Sequence, residues 1–314
     1  MATASLDTTM GIWLVSLFIA AILYGMGVIQ AYLYFHWYPN DKWGLKVTVI
    51  CLMVFETLQI TLFLVGVYQP LIQHFGDLSA IFRITWVDAT QLISGFLSAF
   101  LVQMYFAYCI YTLSPKYKII PVFIVVLALL QIGSGLAQTI TSTELGNFTL
   151  LDKTKTTTTL QAASTLACDV AITVCLCYTL NDKRTGVRTT NSLLNTLMVN
   201  AVNRGMLTTF AAAVNIVLFL SVPHTFWFFL GLIPSSKFYM NSMLATLNMR
   251  DHIRERHDDW KNSIPIASLS QSTIQRAPAG APAMAPSSHF DVNGIFADDS
   301  RDRQDDGKKA FDMI

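Results

Sequence analysis

Residues 12–35 are a run of 24 residues without one charged side chain, and stretches of similar length and character recur along the chain. The hydrocarbon core of a bilayer takes about twenty mostly apolar helical residues to cross. That length is met at 45–68, 86–113, 119–140 and 158–180, and again, with more polar interruptions, at 205–222 and 225–247. The pattern predicts an all-α integral membrane bundle of seven transmembrane helices.

Composition agrees. Charged residues make up 13% of the chain and apolar residues 53%, whereas about a quarter of an ordinary soluble domain is charged. A net charge of +1 gives no electrostatic basis for binding nucleic acid. Cys51, Cys109, Cys168, Cys175 and Cys177 all fall inside apolar stretches. They suggest neither a disulfide framework nor a metal site, and they read as packing residues.

Three divisions follow. Residues 1–11 form a short outer N-terminus, 12–248 the transmembrane domain, and 249–314 a cytosolic tail. The segment from Arg250 to Arg256 reads as a short interfacial helix. The Pro/Ala-rich stretch 276–286 and the Asp-rich end cannot bury a core, so most of the tail is expected to be disordered. The first run is too long for a cleaved signal peptide and lacks its basic lead. The Thr-rich stretch 141–157 is expected to be a loop, and 181–203 a loop with a helical lead-in.

Orientation follows the Lys/Arg bias of the short connectors. With the N-terminus outside and the C-terminus in the cytosol, Lys42, Lys46, Lys116, Lys118, Lys183, Arg184, Arg188 and Arg204 face inward, against Arg83, Lys153 and Lys155 outside. The sequon at Asn147 then lies in an outer loop, where a glycosylated asparagine belongs.

Two landmarks carry a family resemblance. One is Gln30-x-Tyr32-x-Tyr34-Phe35 followed by Tyr38-Pro39-x-Asp41 and Lys46. The other is Tyr239-x-Asn241-Ser242-x-Leu244-Ala245-Thr246-Leu247-Asn248-x-Arg250. Over about residues 10–250 the chain resembles a large family of membrane proteins, mainly from mushroom-forming fungi, catalogued as domain of unknown function 6534. The resemblance implies a seven-helix membrane fold and no particular activity. Similar sequences often carry carboxylate-Thr-Leu-His in the second span, whereas this chain reads Glu56-Thr-Leu-Gln59.

A charge at mid-bilayer costs on the order of 3 kcal/mol even on the mildest insertion scale. Glu56, Asp169 and Lys237 each fall roughly 16–18 Å from the start of their span, near the midplane. Glu56 and Lys237 are the first pair expected, because the second and seventh helices of a sequential bundle lie close. Asp88 and Arg204 fall near expected helix ends, where their charges can reach water. Gln131, Ser134 and Gln138 share one helical face, as do Thr208 and Asn215. Asn241, Ser242 and Asn248 mark the inner half of the last span. Interhelical hydrogen bonds account for such residues without a ligand. Gly133-Ser-Gly-x-Ala137 suits close helix approach. Trp13, Trp37, Trp43, Trp86 and Trp227 read as an interfacial belt. The run 226–229 reads either as part of that belt or as the wall of a pocket.

The intramembrane polar candidates are therefore Glu56, Gln59, Asp169, Lys237, Gln131 and Asn241, with no metal or cofactor implied. Seven spans, a basic third inner loop and a polar tail point to a receptor-like, sensory or small-ligand-binding protein in the plasma membrane or an endomembrane. Its expected partners are the bilayer, a small hydrophobic ligand and a cytosolic protein. The alternative is a membrane-embedded enzyme acting on a lipid or isoprenoid, with Glu56 or Asp169 as general acid. A transporter, hinted at only by Gly231 and Pro234, and a retinal pigment built on Lys237 complete the range.

Overall fold

A computed structural model of the chain describes residues 6–113, 119–182, 188–222 and 225–263. The described residues form eight α-helices, α1 Met10–Trp37, α2 Trp43–Tyr68, α3 Leu78–Ile81, α4 Trp86–Leu113, α5 Ile119–Leu145, α6 Lys155–Asp182, α7 Arg188–Ser221 and α8 Phe229–Ser263. Among them there is no strand beyond an isolated bridge between Arg83 and Asn147. Six helices are long and apolar enough to cross a membrane, namely α1, α2, α4, α5, α6 and α7. This is a multi-pass integral membrane protein.

The outward faces explain why. Leu14, Phe18, Ile22 and Ile29 of α1 and Val122, Leu129 and Ile140 of α5 are all exposed. A water-facing surface this continuously apolar is untenable for a soluble monomer, and it suits hydrocarbon. Inside the first unit, 1–248, α4 packs against α2, α5 and α6, and α6 packs against α5 and α7.

One end of the bundle gathers the N-terminus and alternate connectors. Ile84 N–H donates to Gly146 O at 3.0 Å and Phe148 N–H to Phe82 O at 2.8 Å, while Phe226 N–H donates to Thr8 O at 3.2 Å. Trp13 anchors this end. It is 3% exposed, stacks on Phe226 at 4.7 Å and meets Phe63, Phe148 and Phe229 edge-on. Trp13 is thus core rather than belt, because four aromatic rings converge on it. Trp43 and Trp86 do stand exposed at helix ends.

The last helix starts beside Thr8 and finishes alongside the other end of α1. Asn241 Nδ2 donates to Leu23 O at 2.9 Å, and Asn248 Nδ2 donates to Gln30 O at 2.7 Å. Both the asparagines and the carbonyls are seven residues apart, so α1 and α8 run parallel with matched two-turn repeats. Tyr38 Oη then donates to Asn248 O at 3.3 Å, and Tyr34 Oη to Asp41 Oδ2 at 3.0 Å. The two landmark motifs, some two hundred residues apart in sequence, are in contact.

Several boundaries differ from those expected. The Thr-rich stretch is mostly helical: α5 continues to Leu145, a 3₁₀ helix occupies Phe148–Thr154, and α6 follows at once. Thr141 and Thr143 bond back to the carbonyls of Ala137 and Thr139, which satisfies their hydroxyls inside a helix. The lead-in before 205 is helix from Arg188 onward. The expected interfacial helix from Arg250 is continuous with α8, which runs to Ser263. The tail beyond residue 263, expected to be disordered, lies outside the described residues.

Several glycines permit close approach, Gly135 and Gly231 among them. A Cβ on Gly135 would meet the Phe96 ring at 2.9 Å, whereas one on Gly133 would meet nothing. Only one of the two glycines in the Gly133–Ala137 motif therefore brings helices together. Gly231 lies against the α7 backbone, where a Cβ would come 2.5 Å from Ala211 O and 2.6 Å from Asn215 N. Around Gly231 and Pro234, the hint of a transporter, α8 is a continuous helix pressed against its neighbour.

Candidate functional site

Among the described residues the interior of the bundle holds two ion pairs, with Asp88 a fifth buried charged side chain apart from them. Lys237 Nζ lies 2.7 Å from Glu56 Oε2, and both side chains are fully buried. Arg204 Nη2 lies 3.2 Å from Asp169 Oδ1, again with both side chains buried.

The first pair sits in a hydrogen-bonded cluster from three helices. Ser98 of α4 donates to Glu56 Oε1. Ser236 of α8 donates to Glu56 Oε2 at 3.3 Å and to Gln59 Oε1 at 2.7 Å. Lys237 also donates to Gln59. Every oxygen of the Glu56 carboxylate thus has a donor, which is the condition for keeping a buried charge. Where similar sequences often carry histidine, Gln59 supplies an acceptor to Lys237 without adding a titrating group.

The second pair is held by aromatic rings. Tyr239 Oη donates to Asp169 Oδ2 at 2.5 Å. The Arg204 guanidinium lies 4.1 Å from the Phe106 ring centre and 5.8 Å from that of Tyr239. Cation–π contact stabilises a desolvated guanidinium, and here it covers a group whose Nε and Nη1 have no hydrogen-bond partner among the described residues. Arg204 is therefore a core residue, 3% exposed, and belongs to no inner loop. It lies sixteen residues into α7, whose early start moved it away from the helix end.

Between the pairs lies a cavity of about 40 Å³. Gln59 and Ser236 line it from one side and Tyr239 and Thr208 from the other, with Gln131, Gln161 and Asn215 completing a polar wall. A water molecule claims about 30 Å³ of liquid, so the space holds one or two waters. Ligand pockets measure roughly 300–1,000 Å³. Lys237 does not line this cavity, and its amine is engaged by Glu56 and Gln59.

The other expected site residues fall elsewhere. Gln131 accepts from Gln103 Nε2 at 2.5 Å, tying α5 to α4. Asn241 serves the α1–α8 contact and leaves the charge cluster to its neighbours. Asn147 caps the 3₁₀ helix, its Oδ1 accepting from Thr149 N–H at 2.9 Å and from Thr149 Oγ1 at 2.8 Å. Asp88 does not reach for water. Its side chain is buried, and Oδ2 accepts from both Thr85 N–H and Thr85 Oγ1 at 2.8 Å, the reciprocal cap of a helix start. Among the described residues no three His, Cys, Asp or Glu side chains gather where they could hold a metal ion.

Arg204, Tyr239, Ser98, Ser236 and Gln103 escaped the sequence reading. Arg204 carried a readable signal, because it shares its helical face with Thr208 and Asn215 at spacings of four and eleven. Serines and tyrosines inside a span carry none.

Residues 165–252 match a family described as "Family of unknown function (DUF6534)". Over that stretch the chain is similar to the DUF6534 family. No curated protein and no solved structure matches the chain. The DUF6534 region contains the whole Asp169–Arg204–Tyr239 set together with Lys237 and Asn248, whereas Glu56 and Gln59 precede it.

Proposed function

We propose that the protein is a receptor-like membrane switch in which α8 is latched into a seven-span bundle by two buried ion pairs. The carrying observation is that adjacent residues of α8 address both pairs. Lys237 and Ser236 engage Glu56 on α2, and Tyr239, two residues on, engages Asp169 on α6, itself paired with Arg204 on α7. Buried ion pairs are weak stabilisers, often replaceable by apolar residues without loss. Their best-attested value lies in fixing one arrangement among several, and exchangeable pairs recur in switching proteins.

The arrangement of α8 supports a seventh span. Its low apolarity follows from its position, since Met240, Met243, Leu244 and Leu247 are fully buried. A helix enclosed by others need not be apolar all round. The bias of basic residues supports the N-terminus outside and the C-terminus in the cytosol, and removing Arg204 from the count leaves its sign unchanged. Asn147 is then extracellular or lumenal and glycosylated, and among the described residues its Nδ2 makes no hydrogen bond. A general-acid role for Glu56 or Asp169 fits less well, because each carboxylate is engaged by a cation and a hydroxyl.

The test is a distance measurement between spin labels at Tyr111, exposed on α4, and Ala245, half-buried on α8, attached through click-reactive amino acids. Opening a latch with Asp169→Asn or Glu56→Gln will populate a second distance in folded protein. One unchanged distance in wild type and both variants argues against a switch. Ligand screening then follows, seeking compounds that raise thermal stability without being consumed.

A further inference from the structure

A second cavity of about 40 Å³ lies toward the end of the bundle that carries the N-terminus. Much of its wall is apolar, with Phe148, Phe219, Phe228 and Phe229 among the lining residues, and a few polar side chains interrupt it. Asp88 of α4 lines it, carrying a buried carboxylate with no Lys, Arg or His at ion-pair distance among the described residues. Gln91, one turn further along α4, is 2% exposed and its Oε1 has no hydrogen-bond partner among the described residues. Gln138 of α5 presents a second Oε1 in the same condition. Ser142, four residues beyond Gln138 on the same face, adds a hydroxyl.

Two unpartnered amide oxygens near a carboxylate that has only Thr85 as hydrogen-bond donor and no counter-charge among the described residues suit a hard cation. We propose that Asp88, Gln91, Gln138 and Ser142 bind a sodium ion. One carboxylate with neutral oxygens balances a single positive charge, whereas divalent sites gather several carboxylates. The volume, again that of one or two waters, leaves room for one monovalent ion with little of its hydration shell. Leu92, Gln161, Asn215 and Leu232 line both this cavity and the central one. Occupancy here therefore bears on the walls of the core between the ion pairs. The site stands on its own geometry and does not depend on the switch reading.

Thermal unfolding of the purified full chain in detergent tests it, in sodium, potassium or N-methyl-glucamine chloride at matched ionic strength. A bound ion stabilises by mass action, so sodium will raise Tm in a saturable way by several degrees over N-methyl-glucamine, with potassium giving less. Asp88→Asn will abolish the shift, and Gln91→Leu will weaken apparent affinity on the order of tenfold. Sodium-23 NMR line broadening of the wild type, lost in the same variants, reads binding directly. Equal Tm in all three salts overturns the proposal, as does a sodium shift that survives Asp88→Asn. If Asp88→Asn does not fold, unaltered sodium affinity in folded Gln91→Leu overturns it equally.

Discussion

Lys237 Nζ meets Glu56 Oε2 at 2.7 Å in the fully buried interior of the bundle. Two residues along the same helix, Tyr239 reaches the other buried carboxylate, Asp169, at 2.5 Å. One and a half ångströms of rise per residue thus brings both ion pairs within one turn of α8. The helix is held to α2 and to the α6–α7 pair at the same depth, with the central cavity between. A displacement of α8 by one turn breaks both sets together, which is the behaviour expected of a two-position element.

The Asp169 cluster predicts a graded series. Asp169→Asn leaves Arg204 buried without its counter-charge, and loss of one partner from a buried pair costs roughly 3–5 kcal/mol. Tyr239→Phe removes one hydrogen bond to a charged acceptor and costs about 1.5–3 kcal/mol. Unfolding of the detergent-purified variants checks the order, with Asp169→Asn the more damaged.

Gly231 and Gly133 predict opposite outcomes from similar changes. Gly231→Val drives a side chain into the α7 backbone, where even a Cβ sits 2.5 Å from Ala211 O, and overpacking of this kind costs about 1–3 kcal/mol or more. Gly133→Ala faces open space and gains helix propensity of up to about 1 kcal/mol. A lower Tm for the first and an unchanged or higher Tm for the second is the expected pair of results.

The legible part of the fold is the part that faces lipid. The first five spans stood out because helices touching hydrocarbon must be apolar on their outer faces, and α1 and α5 follow that rule closely. Helix α8 is enclosed, so Ser235, Ser236, Lys237, Asn241 and Ser242 dilute its hydropathy, and it was read from its length and its landmark motif. Glu56 and Lys237 were readable as partners because unpaired charges at mid-depth are costly. Arg204 was missed despite the face it shares with Thr208 and Asn215, since its depth depended on where α7 begins, and the polar residues between Arg188 and Asn203 hid that start. Thr-rich stretches deceived for a related reason, as a threonine bonded to its own helix needs no water.

Trp13 predicts a large stability loss at one end of the bundle. Trp13→Ala removes the ring that Phe63, Phe148, Phe226 and Phe229 enclose, and such truncations cost about 3–5 kcal/mol. Trp43→Ala, at a residue 74% exposed, removes no packed ring and leaves Tm nearly unchanged. Comparable losses at the two positions contradict the placement of Trp13 in the core.

Orientation predicts a glycan. Expression in a eukaryotic membrane will give a protein whose gel mobility shifts on endoglycosidase treatment, and Asn147→Gln will remove that shift. A glycan-free wild-type protein contradicts the proposed orientation.

The most direct measurement is a double-mutant cycle on the latch, with Tm and unfolding free energy read for Glu56→Gln, Lys237→Met and both together. The account predicts that each single change costs roughly 3–5 kcal/mol and that the double variant recovers most of it, since two matched charges have then been removed. Losses that simply add, or single changes that cost nothing, would show that Glu56 and Lys237 do not hold α8 to α2.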